Sequence, residues 1–437
     1  MLSMLWIKLS LLCFIHYAIC GEDSPLYVQP EQIHLSFGET TSDIVVTWST
    51  LNRTSSYVAY GTNENQLSPY PGKISAFKDG GDEERVQYIH KVTLQGLDPN
   101  TTYYYRCGSN FSWSASYSFK TPPESTNWSP TLAIFGDMGN FNAISLPALQ
   151  AEAQMGMYNA MLHVGDFAYD MDTDNARVGD EFMRQIEPIA AYLPYMTCPG
   201  NHEQAYNFSN YKARFAPPNG PDNLFYSFNL GPAHFISINT EYYYFLNYGL
   251  KSAIFQYYWL ENDLKEANKP ENRKKHPWII TFGHRPMYCS NNDGDDCRYE
   301  DDLVRTGLPI IKKFGLEKLF FDYGVDLEIW AHEHSYERLW PVYDKKVYNG
   351  SYDKPYTNPG APVHFTTGSA GCDEFVDHFV DDPAGWSAFR SSDYGYTRMK
   401  IFNSTHLWFQ QVSMDKMGQP IDEVWLIKDK HGPYPKK

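Results

Sequence analysis

Five short motifs carry side chains able to bind metal ions, and each follows a short apolar run. Gly-Asp-Met-Gly at 136–139 follows TLAIF, and Gly-Asp-Phe-Ala-Tyr at 165–169 follows MLHV. Gly-Asn-His-Glu at 200–203 comes shortly after YMTC, Gly-His-Arg-Pro at 283–286 follows WIITF, and Ala-His-Glu-His at 331–334 follows LEIW. Such runs read as strands. In an open α/β fold, ligands sit in the crevice beyond the carboxyl ends of the strands. Five strand ends would therefore bring Asp137, Asp166, Tyr169, Asn201, His284, His332 and His334 to one place. Nitrogen donors mixed with hard oxygen donors suit a pair of metal ions such as iron, zinc or manganese.

Each donor has its own chemistry. A carboxylate can bind one ion or bridge two, and Asp166, in the longer motif with a second donor, is the better bridge. A single Asp after a strand is usually a turn or cap residue, but here two lie in a series of five matching strand ends. A free Tyr titrates near pH ~10, so only a strongly acidic cation holds Tyr169 as phenolate in acid. Ferric iron does so readily, and zinc or magnesium poorly. Asn201 offers a neutral amide oxygen to a divalent partner. His202 beside it should point elsewhere, toward whatever the ions bind. His332 and His334, two apart on an extended segment, project to the same side and can reach one ion apiece. His34, His90, His163, His234, His276, His364, His378, His406 and His431 fit no such spacing and read as structural or surface residues.

Two kinds of segment must position these groups. From about 25 to 122 there is no helical period, only short strand-like runs: DIVVTWST, SYVAYGT, RVQYIHKVTL, TYYYRCGS and SYSFKT. Their spacing predicts an antiparallel sandwich, and the segment 97–103 looks like the tyrosine corner of immunoglobulin-like or fibronectin type III domains. Residues 121–125 form a linker by composition. From 128 to 430, strands alternate with helical stretches at 144–155, 179–190, 254–267 and 308–321, the pattern of an α/β layer architecture. The late segments VHFTTGSAG, TRMKIF and HLWFQQV are β-like and should complete a second sheet.

The 437 residues suffice for two or three domains. A formal charge of -16 argues against a nucleic acid partner, whereas a small anion remains compatible because bound cations would dominate the local field. Residues 1–20 read as a signal peptide, with an uncleaved anchor as the alternative; the apolar stretch is short for a span. No later segment is long and apolar enough to cross a bilayer. Seven Asn-x-Ser/Thr sequons occur. Those at Asn52, Asn100, Asn110, Asn207, Asn349 and Asn403 are the glycosylation candidates, and Pro130 disfavours Asn127. With Cys13 and Cys20 in the leader, five cysteines remain. Cys289 and Cys297 bracket a short polar loop and make the most plausible bridge, while Cys198 could be a buried free thiol. The expected location is the secretory pathway, either secreted or lysosomal/endosomal.

The motifs resemble those of the purple acid phosphatases, within the metallophosphoesterase superfamily, whose pattern runs GDxG, GDxxY, GNH with an acidic residue, VxxH and GHxH. Thr281 stands for Val in the fourth motif and Ala331 for Gly in the fifth, neither a ligand position. Many two-metal phosphoesterases carry a His where this chain has Gly139, and Tyr169 can supply the donor that is then missing. The resemblance is closest to the long animal-type form. It implies an all-β fibronectin III-like N-terminal sandwich plus an α/β metallophosphoesterase domain, a two-sheet β sandwich flanked by helices. It further implies ferric iron on Asp137, Tyr169 and His334, and a divalent ion (zinc, iron or manganese) on Asn201, His284 and His332. Asp166 would bridge them, and His202 would touch substrate phosphate and protonate the leaving oxygen. The implied reaction is hydrolysis of small phosphate monoesters, with anhydrides as a further substrate class, by a metal-activated hydroxide. Plant long forms place two further His about ten residues after His284; here that region holds Asp293 and Gly294. A phosphodiesterase or nucleotidase, a redox-active iron protein and a non-catalytic adhesion glycoprotein are the competing readings.

Overall fold

The computed structural model describes residues 25–218, 223–248, 250–292, 294, 297 and 302–435. The expected leader at 1–20, with Cys13 and Cys20, lies outside the described residues, as does Asp293.

The five apolar runs are all strands: β1 (Thr131–Phe135), β2 (Ala160–Val164), β3 (Tyr195–Cys198), β4 (Trp278–Phe282) and β5 (Leu327–Trp330). Nearly every residue in them is buried, as expected for parallel strands covered on both faces, which read as continuous apolar runs. They belong to two sheets. The first has six strands in the order β3, β2, β1, Gly395–Ile401, His406–Ser413 and Gln419–Ile427. Its first three strands run parallel, and Gly395–Ile401 joins β1 antiparallel. The second has seven strands: Tyr226–Leu230, Ala233–Ser237, β4, β5, Val363–Thr367, Tyr336–Leu339 and Ser387–Ser391. There β4 and β5 are parallel to each other and to both of their outer neighbours. The late segments thus divide: VHFTT sits inside the second sheet, whereas TRMKI and HLWFQQV extend the first.

Helices occupy Leu146–Gln154, Thr173–Ala190 and Leu250–Ala267, close to expectation. The stretch 308–321 does not form one helix. Gly307 turns back with φ 98, its bridge to Phe314 closes an irregular loop, and the helix begins only at Leu316. Pro309 has no N–H to donate and Gly315 is extended, so the helical spacing on either side cannot join.

The N-terminal unit is a sandwich of two four-stranded sheets. One holds Glu31–Phe37, Ile44–Thr50, Val86–Leu94 and Lys73–Lys78, the other Ser68–Pro71, Tyr57–Gly61, Thr102–Gly108 and Tyr117–Lys120. The tyrosine corner is present, with the Asp98 N–H donating to the Tyr103 hydroxyl at 3.0 Å. This sandwich does not stand apart. Ile33, Leu35, Phe37 and Tyr105 share one apolar cluster with Leu132, Leu162, Met196 and Phe228 of the following domain. Buried Arg214 ties the two together, donating to Asp180 at 2.9 Å and to Gln32 at 3.0 Å, while Arg85 and Gln87 also bond Asp180.

Candidate metal centre

All five motifs leave the carboxyl ends of parallel strands, three from the first sheet and two from the second, and their loops meet at one edge. The turns are tight enough to constrain sequence. A Cβ on Gly165, whose φ is +84, would lie 2.3 Å from His284 Nδ1, and one on Gly200 would lie 2.2 Å from Asp166 Oδ1. Asp137, Asp166 and His332 themselves have positive φ, an arrangement that surrounding structure must enforce and that recurs at functional sites.

The side chains form two groups around a common middle. In the first, the Tyr169 hydroxyl lies 2.8 Å from His334 Nε2 and 3.4 Å from Asp137 Oδ1, and His334 Nε2 is 3.6 Å from the same oxygen. In the second, His284 Nε2 lies 3.0 Å from Asn201 Oδ1 and 3.1 Å from Asp166 Oδ2. Ligand atoms of Asp166, His284 and His332 all fall within 4.8 Å of one another. His284 Nε2 is also 4.0 Å from Asp137 Oδ1, so the groups adjoin. Two of the imidazoles are oriented from behind. His284 donates from Nδ1 to the Val164 carbonyl at 2.9 Å, and His334 does so to Phe375 at 2.8 Å. A carbonyl only accepts, so each Nδ1 carries a proton and each Nε2 faces inward, the orientation metal-ligating imidazoles use.

The electrostatics call for positive charge. Burial would lower His284, yet Asp166 and then Asp137 outweigh it and raise the ring to about 10. Burial followed by the charge of Asp137 and Asp166 holds the Tyr169 phenol far above its usual range. Burial would likewise raise Asp166, but the neighbouring His284 and His202 keep it below the usual carboxylate range. Two nearly inaccessible carboxylates, a phenol and three imidazoles fit a pair of cations better than an all-protein hydrogen-bond network.

His202 sits beside the donors with a half-buried ring, its Nε2 4.0 Å from Asp166 Oδ2. Its backbone N–H donates to Asp166 Oδ1 at 3.0 Å, its Nδ1 pairs with Asp170 at 2.8 Å, and its Nε2 is 3.8 Å from exposed Glu374. Burial lowers the ring, but Asp166 and Asp170 raise it to about 10.

Other neighbours of the centre carried no role in the sequence reading. Buried Glu203 accepts backbone N–H bonds from Asp166, Phe167 and Gly200 at 2.8–3.0 Å, clamping two motif loops together. Arg285 places Nη1 2.9 Å from His332 Nε2. The Cys372 thiol lies 3.5 Å from His334 Nδ1. Glu203 and Arg285 stand inside motifs, so position marked them; spacing alone says nothing of what an acid or a guanidinium does there. Cys289 and Cys297 are joined by a disulfide, and Cys107, Cys198 and Cys372 are buried free thiols.

Two mixed sheets with inward-facing oxygen and nitrogen donors at the parallel strand ends define a calcineurin-like phosphoesterase, and residues 130–336 match the family of that description. Residues 30–121 match the purple acid phosphatase N-terminal domain, and 361–423 the iron/zinc purple acid phosphatase-like protein C domain. The chain is 56% identical to acid phosphatase type 7 of Danio rerio over 94% of each chain. It is 52% identical to acid phosphatase type 7 of Homo sapiens over 98% of its own length and 97% of that relative. Purple acid phosphatase PPD1 from yellow lupin superimposes with a TM-score of 0.78 at 25% identity, covering 92% of this chain and 75% of that one. The chain belongs to the purple acid phosphatase family. It is an acid phosphatase, and the family hydrolyses phosphate monoesters at a dinuclear metal site.

Proposed function

We propose that this acid phosphatase works with one ferric and one divalent ion, on small phosphate monoesters and also on phosphate anhydrides. Asp137, Tyr169 and His334 would hold the iron, Asn201, His284 and His332 the divalent ion, and Asp166 both. The observation that carries this reading is the partition of the donors into two adjoining groups, with the phenol in one and the amide in the other. When bound, the ions supply Lewis acidity toward phosphoryl oxygens and an activated water. The chain's own residues do the rest. His284 and His334 present fixed lone pairs. Tyr169, held protonated by its surroundings, yields its proton only to a strongly acidic cation, which favours trivalent iron in that group. His202, pinned at Nδ1 by Asp170, holds Nε2 4.0 Å from Asp166 Oδ2, where it would contact the phosphate and protonate the leaving oxygen.

The proposed location is the secretory pathway, with export or the lysosome as destination. The Cys289–Cys297 bridge supports an oxidising compartment. Asn100, Asn110, Asn207, Asn349 and Asn403 are exposed and Asn52 is half-buried, so glycans have room at most of these sites. Among the described residues no helix is long and apolar enough to cross a membrane. Metal analysis of the purified protein, with assays on an aryl phosphate and on a pyrophosphate ester, tests the reading. Iron and a second metal in equal amounts with acid-pH turnover is the expected result. Turnover with zinc alone would remove the ferric assignment.

A further inference from the structure

We propose that the loop after Gly307, together with the outer face of the helix Leu250–Ala267, docks this protein on an anionic lipid bilayer. The Leu308 N–H donates to the Lys313 carbonyl at 2.9 Å and the Lys312 N–H to the Leu308 carbonyl at 3.0 Å, which closes residues 308–313 into a tight loop. Its tip carries Ile310, 98% exposed, and Ile311, 50% exposed. Ile310 has φ 69, a backbone state that β-branched residues rarely adopt. The closed loop, not the residue's own preference, therefore holds this side chain in water. At the foot of the loop the Phe314 ring packs on Tyr257 and Tyr258 of the helix, with ring centres 5.3 and 5.9 Å away. Tyr258 and Phe255, three apart on the helix's outer face, are both more than half exposed.

Single apolar residues on a surface need no explanation, but a group of them does. What surrounds this group selects the partner. Lys312 and Lys313 follow the two isoleucines, and Lys251 stands one turn before Phe255 on the same helix face. All three are exposed, and none forms an ion pair among the described residues. Acids along the helix and after the loop are engaged elsewhere: Glu261 with Lys265, Asp322 with Lys318, and Glu317 with Tyr288 and Arg305. On a chain of formal charge -16, three ammonium groups around an apolar tip invert the local sign. Apolar side chains that enter the headgroup region, flanked by lysines that meet anionic headgroups, are what such a bilayer binds. The loop is also tied to the edge that bears the metal centre. The Phe314 carbonyl accepts from the Tyr243 hydroxyl at 2.7 Å, and the turn Thr240–Tyr243 in turn bonds the Arg285 N–H, next to His284. Docking would hold the centre close to the lipid surface.

The test is co-sedimentation of the metal-loaded protein with vesicles of phosphatidylcholine, alone or mixed with phosphatidylserine. Wild type should bind the mixed vesicles, bind phosphatidylcholine alone more weakly, and be released by high salt. Ile310→Ser with Ile311→Ser should weaken binding about 10- to 100-fold, from withdrawing two apolar side chains from the bilayer. Lys312→Gln with Lys313→Gln should weaken it about 10- to 30-fold. Both double variants should turn over a soluble aryl phosphate like wild type, because neither pair touches the centre. Wild type that ignores the mixed vesicles would overturn the proposal, and so would variants that bind them as wild type does. Turnover lost in step with binding would make the loop a structural support and overturn it as well. Sedimentation velocity without lipid is the last arm: a wild-type dimer that the isoleucine variant converts to monomer would assign the patch to a second copy of the chain instead.

Discussion

Tyr169 is the proposed donor whose chemistry most restricts the metal. Buried against two carboxylates, it stays a phenol unless a strongly acidic cation takes its proton. Phenolate bound to ferric iron absorbs visible light by charge transfer, so the iron-loaded protein should be purple or pink and Tyr169→Phe should lose the band. A colourless wild type with full iron occupancy would show that Tyr169 is not a ligand. His202 makes a different prediction, because it adjoins the donors without joining either group. His202→Ala should keep its metals while turnover falls about 100- to 10,000-fold, the range for a general acid. The loss should shrink for esters with good leaving groups, as rate measurements across an aryl phosphate series would reveal. These residues were legible in the sequence because each follows an apolar run and the runs recur. Glu203 and Arg285 were not, since what they do depends on loops and strands that are distant along the chain.

At the scale of elements, the centre depends on loops rather than on the strands alone. Glu203 holds the turns after β2 and β3 by accepting three backbone N–H bonds. Glu203→Gln keeps the shape but turns one acceptor into a donor, leaving a buried N–H unsatisfied. The expected cost is about 1–3 kcal/mol of stability, read by urea unfolding, together with weaker metal retention. Unfolding and metal content like wild type would mean that the loops hold their shape without this carboxylate. The five strands that lead into the centre could be read from composition because parallel strands buried on both faces are apolar throughout. Three N-terminal strands could not. Glu31–Phe37 mixes charged and apolar residues because it buries His34 against the next domain. Ser68–Pro71 carries two prolines on an exposed edge, and Lys73–Lys78 is mostly solvated. The supposed helix at 308–321 failed for the opposite reason: its apolar spacing was helical, but Pro309 and Gly315 outweighed it.

For the molecule as a whole, acid is both the working condition and a strain. His90 is buried in the N-terminal sandwich, stacked on Trp48 with ring centres 4.8 Å apart and bonded to Thr50 and Ser56. Burial lowers its pKa from 6.5 to about 4. The unfolded chain therefore takes up a proton where the folded chain does not. The stability tied to His90 is complete above about pH 6.5, declines as pH falls toward about 4, and levels off below, a loss of about 3 kcal/mol. Urea midpoints at about pH 7 and about pH 4.5 should differ less for His90→Gln than for wild type; an equal difference would mean that His90 is charged in the folded protein. The sandwich that houses this histidine shares its apolar core with the catalytic domain, and its Arg85, Gln87 and Gln32 bond the Arg214–Asp180 pair of that domain. It is therefore not a cassette. A sandwich transplanted from a distant relative would arrive without Arg85, Gln87 and Gln32, and the buried Arg214–Asp180 pair would lose the hydrogen bonds that cross the seam. Lineages that carry this domain can diversify it on its outer faces, while the inner face has to change in step with the enzyme it covers.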